Sequence, residues 1–181
     1  MGRGTNACIV WFSLCLGAIL HNTSFADTGE PVEFTIRRVS DGSLFSSADH
    51  KDKCMVIIFG SIYCKPCVEM IPVISRLQET FKNDKFIALG IDIDTCSEDE
   101  KLRRFSAEQG IRFQFLVDST QVAKKYKVFM LPTTLIVDPG GTVVKRYTNV
   151  QSYTTLEKQV RKCLAEKQGE VRRQEPDVRS Q

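Results

Sequence analysis

The chain has 181 residues, 42% of them hydrophobic, with seven cysteines and a formal net charge of +3. That is enough for one domain with a real core. Basic residues are spread along the chain and interleaved with acids, which excludes the clustered footprint of a nucleic-acid binder.

At the N-terminus, Arg3 precedes an apolar stretch from Ala7 to Leu20, and Ser24-Phe25-Ala26 supplies small residues before Asp27. The stretch has the length of a signal-peptide core and is short for a membrane span. The expectation is a signal peptide over residues 1–26 and an exported, periplasmic mature protein, with an uncleaved membrane anchor as the alternative. Leu14 before Cys15 is wrong for lipidation, and Asn6 is wrong for myristoylation. Cleavage leaves five cysteines, Cys54, Cys64, Cys67, Cys96 and Cys163, in an oxidising compartment.

Phe34 to Val39 reads as a strand, Asp41-Gly42 as a hairpin turn, and Leu44-Phe45 as the return. Asp49 to Lys53 is a charged loop. Met55-Val56-Ile57-Ile58-Phe59 is short, β-branched and bounded by Gly60-Ser61, the pattern of a strand buried on both faces. Cys64-Lys65-Pro66-Cys67 follows, and then Met70, Val73, Ile74 and Leu77 recur at helical spacing. Phe86 to Ile93 is the next strand. Ser97 with Glu100 three residues on forms a capping-box pattern for a helix that stops at Gly110. Phe113 to Val117 is a further strand, and Ser119 caps a short helix through Tyr126. Leu135 to Val137 and Val143 to Tyr147 flank Pro139-Gly140-Gly141 as an antiparallel hairpin. A last helix starts near Ser152 and carries Leu156, Val160, Cys163 and Leu164 on one face. The domain is bounded at 27–168, and the polar residues 169–181 read as a disordered tail. The alternation of elements argues for a mainly parallel α/β sheet closed by an antiparallel hairpin.

Two cysteines three apart at the first turn of a helix close a small disulfide ring, and the unpaired N–H groups there favour a negatively charged sulfur. Thiols in such motifs titrate between roughly 3.5 and 7.5, against about 8.5 for a free cysteine. Cys64 is the candidate attacking thiolate and Cys67 the resolving thiol. The competing readings are a structural disulfide and half a zinc site. Zinc needs further ligands, for which His50 and scattered cysteines give no recognisable spacing. Pro66 is tolerated because first-turn N–H groups have no helical partner to lose. The Lys65 ammonium favours the thiolate when it leans that way. With His50 the one histidine left after cleavage, a Cys-His hydrolase is excluded.

Strand, Cys-x-Pro-Cys, a helix with Pro72 five residues past Cys67, and the later Leu131-Pro132-Thr133-Thr134 together resemble the thioredoxin superfamily, within it the TlpA/ResA-like (DsbE-like) thiol-disulfide oxidoreductases. The resemblance covers roughly residues 33 to 166. It implies a thioredoxin fold: a mixed central sheet flanked by helices, an N-terminal β-hairpin, and a strand-helix insertion drawn from residues 86–110. It also implies that Pro132 is a cis-proline beside the CxxC, that Leu131 pairs with an extended substrate segment, and that Tyr63 replaces a common tryptophan as a flat apolar platform. No cofactor is implied. Ile58 stands where classical thioredoxins bury an aspartate, and Met70 where ResA-like members place a glutamate. Glu69 beside it is turned about 100 degrees along the helix, so the proton-transfer group stays unassigned, with Glu69 as a weighed candidate.

By the same resemblance, Cys54 and Cys163 share the end of the sheet away from the CxxC. A bridge between them is one reading, and two buried free thiols are the favoured one. Cys96 is read as an exposed loop thiol, with a third redox thiol as the alternative. Asp92, Asp94, Glu98, Asp99 and Glu100 are read as helix N-terminal acids rather than a cation site. The expected function is reduction of disulfides in exported proteins. Electrons would come from a membrane DsbD/CcdA-type donor, and apocytochrome c before haem attachment is a candidate substrate. The alternatives are a disulfide oxidase or isomerase, and a non-catalytic metal-binding module such as a metallochaperone.

Overall fold

The computed structural model describes residues 29–94 and 97–174. The expected signal peptide, Cys96 and the end of the expected tail lie outside the described residues. The strands are β1 (Thr35–Arg38), β2 (Leu44–Ser46), β3 (Cys54–Gly60), β4 (Phe86–Asp92), β5 (Gln114–Val117), β6 (Thr133–Val137) and β7 (Val143–Tyr147). The helices are α1 (Lys65–Thr80), α2 (Asp99–Glu108), α3 (Val122–Lys125) and α4 (Tyr153–Gln174). The strands form one mixed sheet in the order β2-β1-β5-β4-β3-β6-β7. β3, β4 and β5 run parallel, and β1 and β6 pair antiparallel on either side of them.

The apolar run of β3 is explained by its central place. Side chains alternate across a strand, so Met55, Ile57 and Phe59 pack on one face with Ile36, Phe45, Tyr126 and Leu135. Val56 and Ile58 face the other way, against Met70, Ile74 and Leu77 of α1 and Leu156 and Val160 of α4. Burying each large apolar side chain contributes about 1.5–3 kcal/mol, so β3 and α1, which present the CxxC, are firmly held by the core on both faces of the sheet. The hairpin and the strand order agree with the expected thioredoxin architecture. The insertion is narrower than expected: β4 is paired with β3 at every position and joined to it by α1, which makes it core, while α2 and β5 lie beyond it.

Several boundaries and partners differ from expectation. Glu98 rather than Ser97 is the N-cap of α2, and no side chain caps it. Asp118, not Ser119, serves α3: its carboxylate accepts the N–H groups of Val122 and Ala123 at 2.6 and 2.9 Å. The charged loop expected over Asp49 to Lys53 begins inside a 3-10 turn, Ser47–His50. α4 runs on to Gln174, past the point where a tail was expected; its Glu, Lys, Gln and Arg residues are good helix formers even without an apolar face. Finally, Cys54 and Cys163 are joined in a disulfide with Cα atoms 6.1 Å apart, which corrects the expectation of two free thiols. The cause is the packing of α4, whose apolar face lays Cys163 over the first residue of β3.

Candidate active site

β3 ends at Gly60, and the chain turns through Ser61-Ile62-Tyr63 into α1. Cys64 is the N-cap of α1. Its carbonyl accepts the N–H groups of Cys67 and Val68 at 2.9 and 3.1 Å, and its sulfur accepts the Cys67 N–H at 3.3 Å. Cys64 and Cys67 form a disulfide with Cα atoms 5.2 Å apart. Cys64 is half-buried, whereas Cys67 is 7% exposed. The first sulfur therefore meets both solvent and the positive end of the helix, and the second is shielded. Pro66 sits in the first turn, where its missing N–H leaves no bond broken.

Gly60 is needed for this contact. A Cβ at that position would lie 3.0 Å from the Cys67 Cβ and 3.4 Å from its sulfur. Gly90 on β4 is similarly constrained, because an added Cβ would meet the Phe113 ring at 2.6 Å.

Phe59 pairs with Thr133 across the antiparallel β3–β6 ladder, so one step further Pro132 stands opposite Gly60. The Leu131-Pro132 bond is cis. The Thr133 hydroxyl donates to the Met130 carbonyl at 2.7 Å and fastens the loop before it. Beside the CxxC, this brings together Pro132, which is buried, Leu131, which is half-buried, and a rim of exposed apolar side chains. Phe129 is 88% exposed, Met130 62% and Tyr63 60%. The Tyr63 hydroxyl accepts from the Lys101 ammonium at 2.7 Å, and that ammonium lies 4.6 Å from the ring centroid. The hydrogen bond to Tyr63 holds the Lys101 pKa above its ordinary value.

Lys65 and Glu69 are exposed on α1, and Met70 points inward, fully buried. Glu69 therefore does not reach the shielded side of Cys67. The acidic residues of 92–100 do not form one group. Asp99 makes a bidentate pair with Arg37 of β1, Glu100 pairs with Arg103, and Asp92 is buried at 2% exposure. Among the described residues, no three His, Cys, Asp or Glu side chains are grouped so as to hold a metal ion.

Asp92 is a site residue that sequence reasoning passed over. Its carboxylate accepts the Ile62 and Asp94 N–H groups, each at 2.9 Å, and so fixes the segment leading to Cys64. Burial pushes its pKa up, against the two N–H donors that lower it, and the neighbouring Asp94 charge adds to the rise. The one available signal was a carboxylate closing an otherwise apolar strand, Phe86-Ile87-Ala88-Leu89-Gly90-Ile91-Asp92.

A thioredoxin-type sheet with two cysteines bonded across the first turn after its central strand places the chain in the class of thiol-disulfide oxidoreductases. The chain belongs to the AhpC/TSA family, whose model matches residues 29–146. It is 26% identical to the thioredoxin-like protein YneN of Bacillus subtilis over 71% of this chain and 75% of that one. It is also 26% identical to the thiol-disulfide oxidoreductase ResA of the same organism, over 78% of this chain and 81% of that one. A thiol:disulfide interchange protein of the thioredoxin family from Chlorobium tepidum has the same fold, with a TM-score of 0.68 and 24% identity, covering 76% of this chain and 97% of that one.

Proposed function

We propose that the chain reduces disulfides in other exported proteins, with Cys64 as the attacking sulfur and Cys67 as the resolving one. The observation that carries this reading is the unequal setting of the two sulfurs: one caps a helix at the surface, and the other is buried behind it. In the dithiol form the Cys64 thiolate attacks a substrate disulfide, forming a mixed disulfide and releasing one substrate thiolate. Cys67 then attacks the Cys64 sulfur, the second substrate thiolate leaves, and the chain is left as its disulfide. Two electrons pass from chain to substrate.

The substrate lies as an extended segment along Leu131, held by the Leu131-Pro132 edge, with Tyr63, Phe129 and Met130 covering its apolar side chains. A membrane DsbD/CcdA-type donor returns the electrons. Apocytochrome c, whose cysteines must be reduced before haem attachment, is a candidate substrate by the TlpA/ResA-like resemblance of the CxPC and cis-proline motifs. Export is supported by Arg3, the apolar run from Ala7 to Leu20 and Ala26; among the described residues no helix is long and apolar enough to cross a membrane. The test is insulin reduction with dithiothreitol. Cys64→Ser is expected to abolish turnover, and Cys67→Ser to accumulate a mixed disulfide with substrate. Full turnover by Cys64→Ser would overturn the assignment.

A further inference from the structure

We propose that Asp92 takes the proton from the resolving thiol of Cys67 through the small cavity that both residues line. The inference rests on the resolving role given to Cys67 above. Gly60 and Asp92 are register partners on adjacent parallel strands, so their side-chain positions share a face of the sheet. A Cβ on Gly60 would touch Cys67, which places Asp92 on the Cys67 side as well. Below the disulfide lies a cavity of about 40 Å³ lined by Cys67, Asp92, Ser61 and apolar side chains including Val68, Phe105 and Phe113. A single water needs roughly 10–15 Å³, so the cavity has room for a bridging molecule between carboxylate and sulfur.

The groups facing this space are few. α1 contributes Cys67 and aliphatic side chains, α2 contributes Phe105, and the segment into β5 contributes Ile111, Phe113 and Phe115. Asp92 and Cys67 are the titratable groups of the lining, and Asp94 is the nearest charge acting on Asp92. Glu69 is outside, on the exposed side of α1. Among the described residues, the groups that act on the Asp92 carboxylate are the Ile62 and Asp94 N–H groups and the Asp94 charge, and none is a lysine or arginine. A buried thiol holds its proton tightly, and a buried carboxylate lining the same cavity, its pKa raised by burial, is a matched acceptor.

The step balances as follows. With Cys64 bonded to the substrate sulfur, the Cys67 S–H gives its proton to the Asp92 carboxylate. The Cys67 thiolate attacks the Cys64 sulfur, the bond from Cys64 to substrate breaks, and the substrate sulfur leaves with the electron pair and takes a proton from solvent. Asp92 is returned to its carboxylate by loss of the proton to water. In the opposite direction the protonated Asp92 supplies the proton to Cys67 as the disulfide is reduced.

Two measurements test this. In the first, the ¹³Cγ resonance of Asp92 is titrated in the wild-type chain. The dithiol form is expected to show a second inflection at the Cys67 titration, which is absent from the disulfide form and from Cys67→Ala. A single inflection in the dithiol form would overturn the proposal, and this readout needs no Asp92 variant to fold. In the second, oxidation of the dithiol by glutathione disulfide is followed by stopped flow. Asp92→Asn is expected to slow resolution of the mixed disulfide about a hundredfold, the low end of what a positioned base contributes, and to remove its pH dependence. An unchanged resolution rate and pH profile in the folded variant would refute it. The initial attack, measured on Cys67→Ser, reports on Cys64 alone. Its loss would count against the dithiol reading itself, whereas an intact attack with unaltered resolution in Asp92→Asn would count against Asp92 only.

Discussion

The Cys54–Cys163 bond should be a principal source of global stability. It closes a loop of 109 residues, for which the chain-entropy relation gives about 4.7 kcal/mol, against a commonly measured range of about 2–5. Replacing both cysteines by alanine also removes two buried sulfurs, each contributing about 1 kcal/mol of lost packing. The double variant Cys54→Ala, Cys163→Ala is therefore expected to lose about 4–7 kcal/mol, a fall in Tm of about 10–25 °C for a domain of this size. Guanidinium unfolding without reductant, monitored by circular dichroism, measures it. The slope against denaturant should rise as well, because the unlinked unfolded chain exposes more surface. The counterpart Cys64→Ala, Cys67→Ala opens a ring between residues only three apart, for which the same relation gives about 1.6 kcal/mol, so with the buried Cys67 sulfur it should lose about 2–3 kcal/mol, roughly half as much. A loss under about 1.5 kcal/mol with an unchanged slope in the first variant would refute the entropic reasoning.

Lys65→Glu is expected to lower the reduction potential of the Cys64–Cys67 pair by roughly 10–30 mV, because a nearby negative charge disfavours the thiolate; a redox titration giving an equal or higher potential would exclude the effect. Phe129→Ser should raise KM for a protein disulfide several-fold and leave the reaction with glutathione disulfide unaltered, since the exposed ring adds contact area only for a long substrate. Equal changes for both substrates would show that the ring acts on the sulfurs instead. Gly60→Ala should destabilise the domain by about 1–3 kcal/mol, because the methyl group meets the Cys67 Cβ at 3.0 Å, and thermal unfolding of the variant measures it. The raised Asp92 pKa means that the folded state holds its proton more tightly than the unfolded one. The corresponding stability is present below the unfolded carboxyl pKa near 3.9 and is lost as pH rises through the folded value. The stability of wild type relative to Asp92→Asn should fall as pH rises above about 4, and a rise would reverse the assigned direction.

β3, α1 and the CxxC were legible because their signals are local: a bounded β-branched run, then cysteines at helical spacing. Pro132 was legible through likeness alone, since nothing in the residues around it dictates a cis bond. The Cys54–Cys163 pairing was not, because it depends on how far along β3 the face of α4 lands, a matter of tertiary register. Asp92 was hidden for a related reason. It reads as one more acid before a helix until the neighbouring strands cover it, and burial alone separates it from Asp94. Ser97 and Ser119 fit capping patterns, yet Glu98 takes the cap position of α2 and the Asp118 carboxylate reaches the first N–H groups of α3.

α2 carries Asp99 on Arg37 of the hairpin and Lys101 on Tyr63 at the edge of the reactive sulfurs. A helix lying beyond the β3–α1–β4 unit is thus tied to both the amino-terminal ribbon and the turn that carries Cys64. A change confined to α2 would therefore be felt at the ribbon and at the turn before Cys64 together, without altering either cysteine.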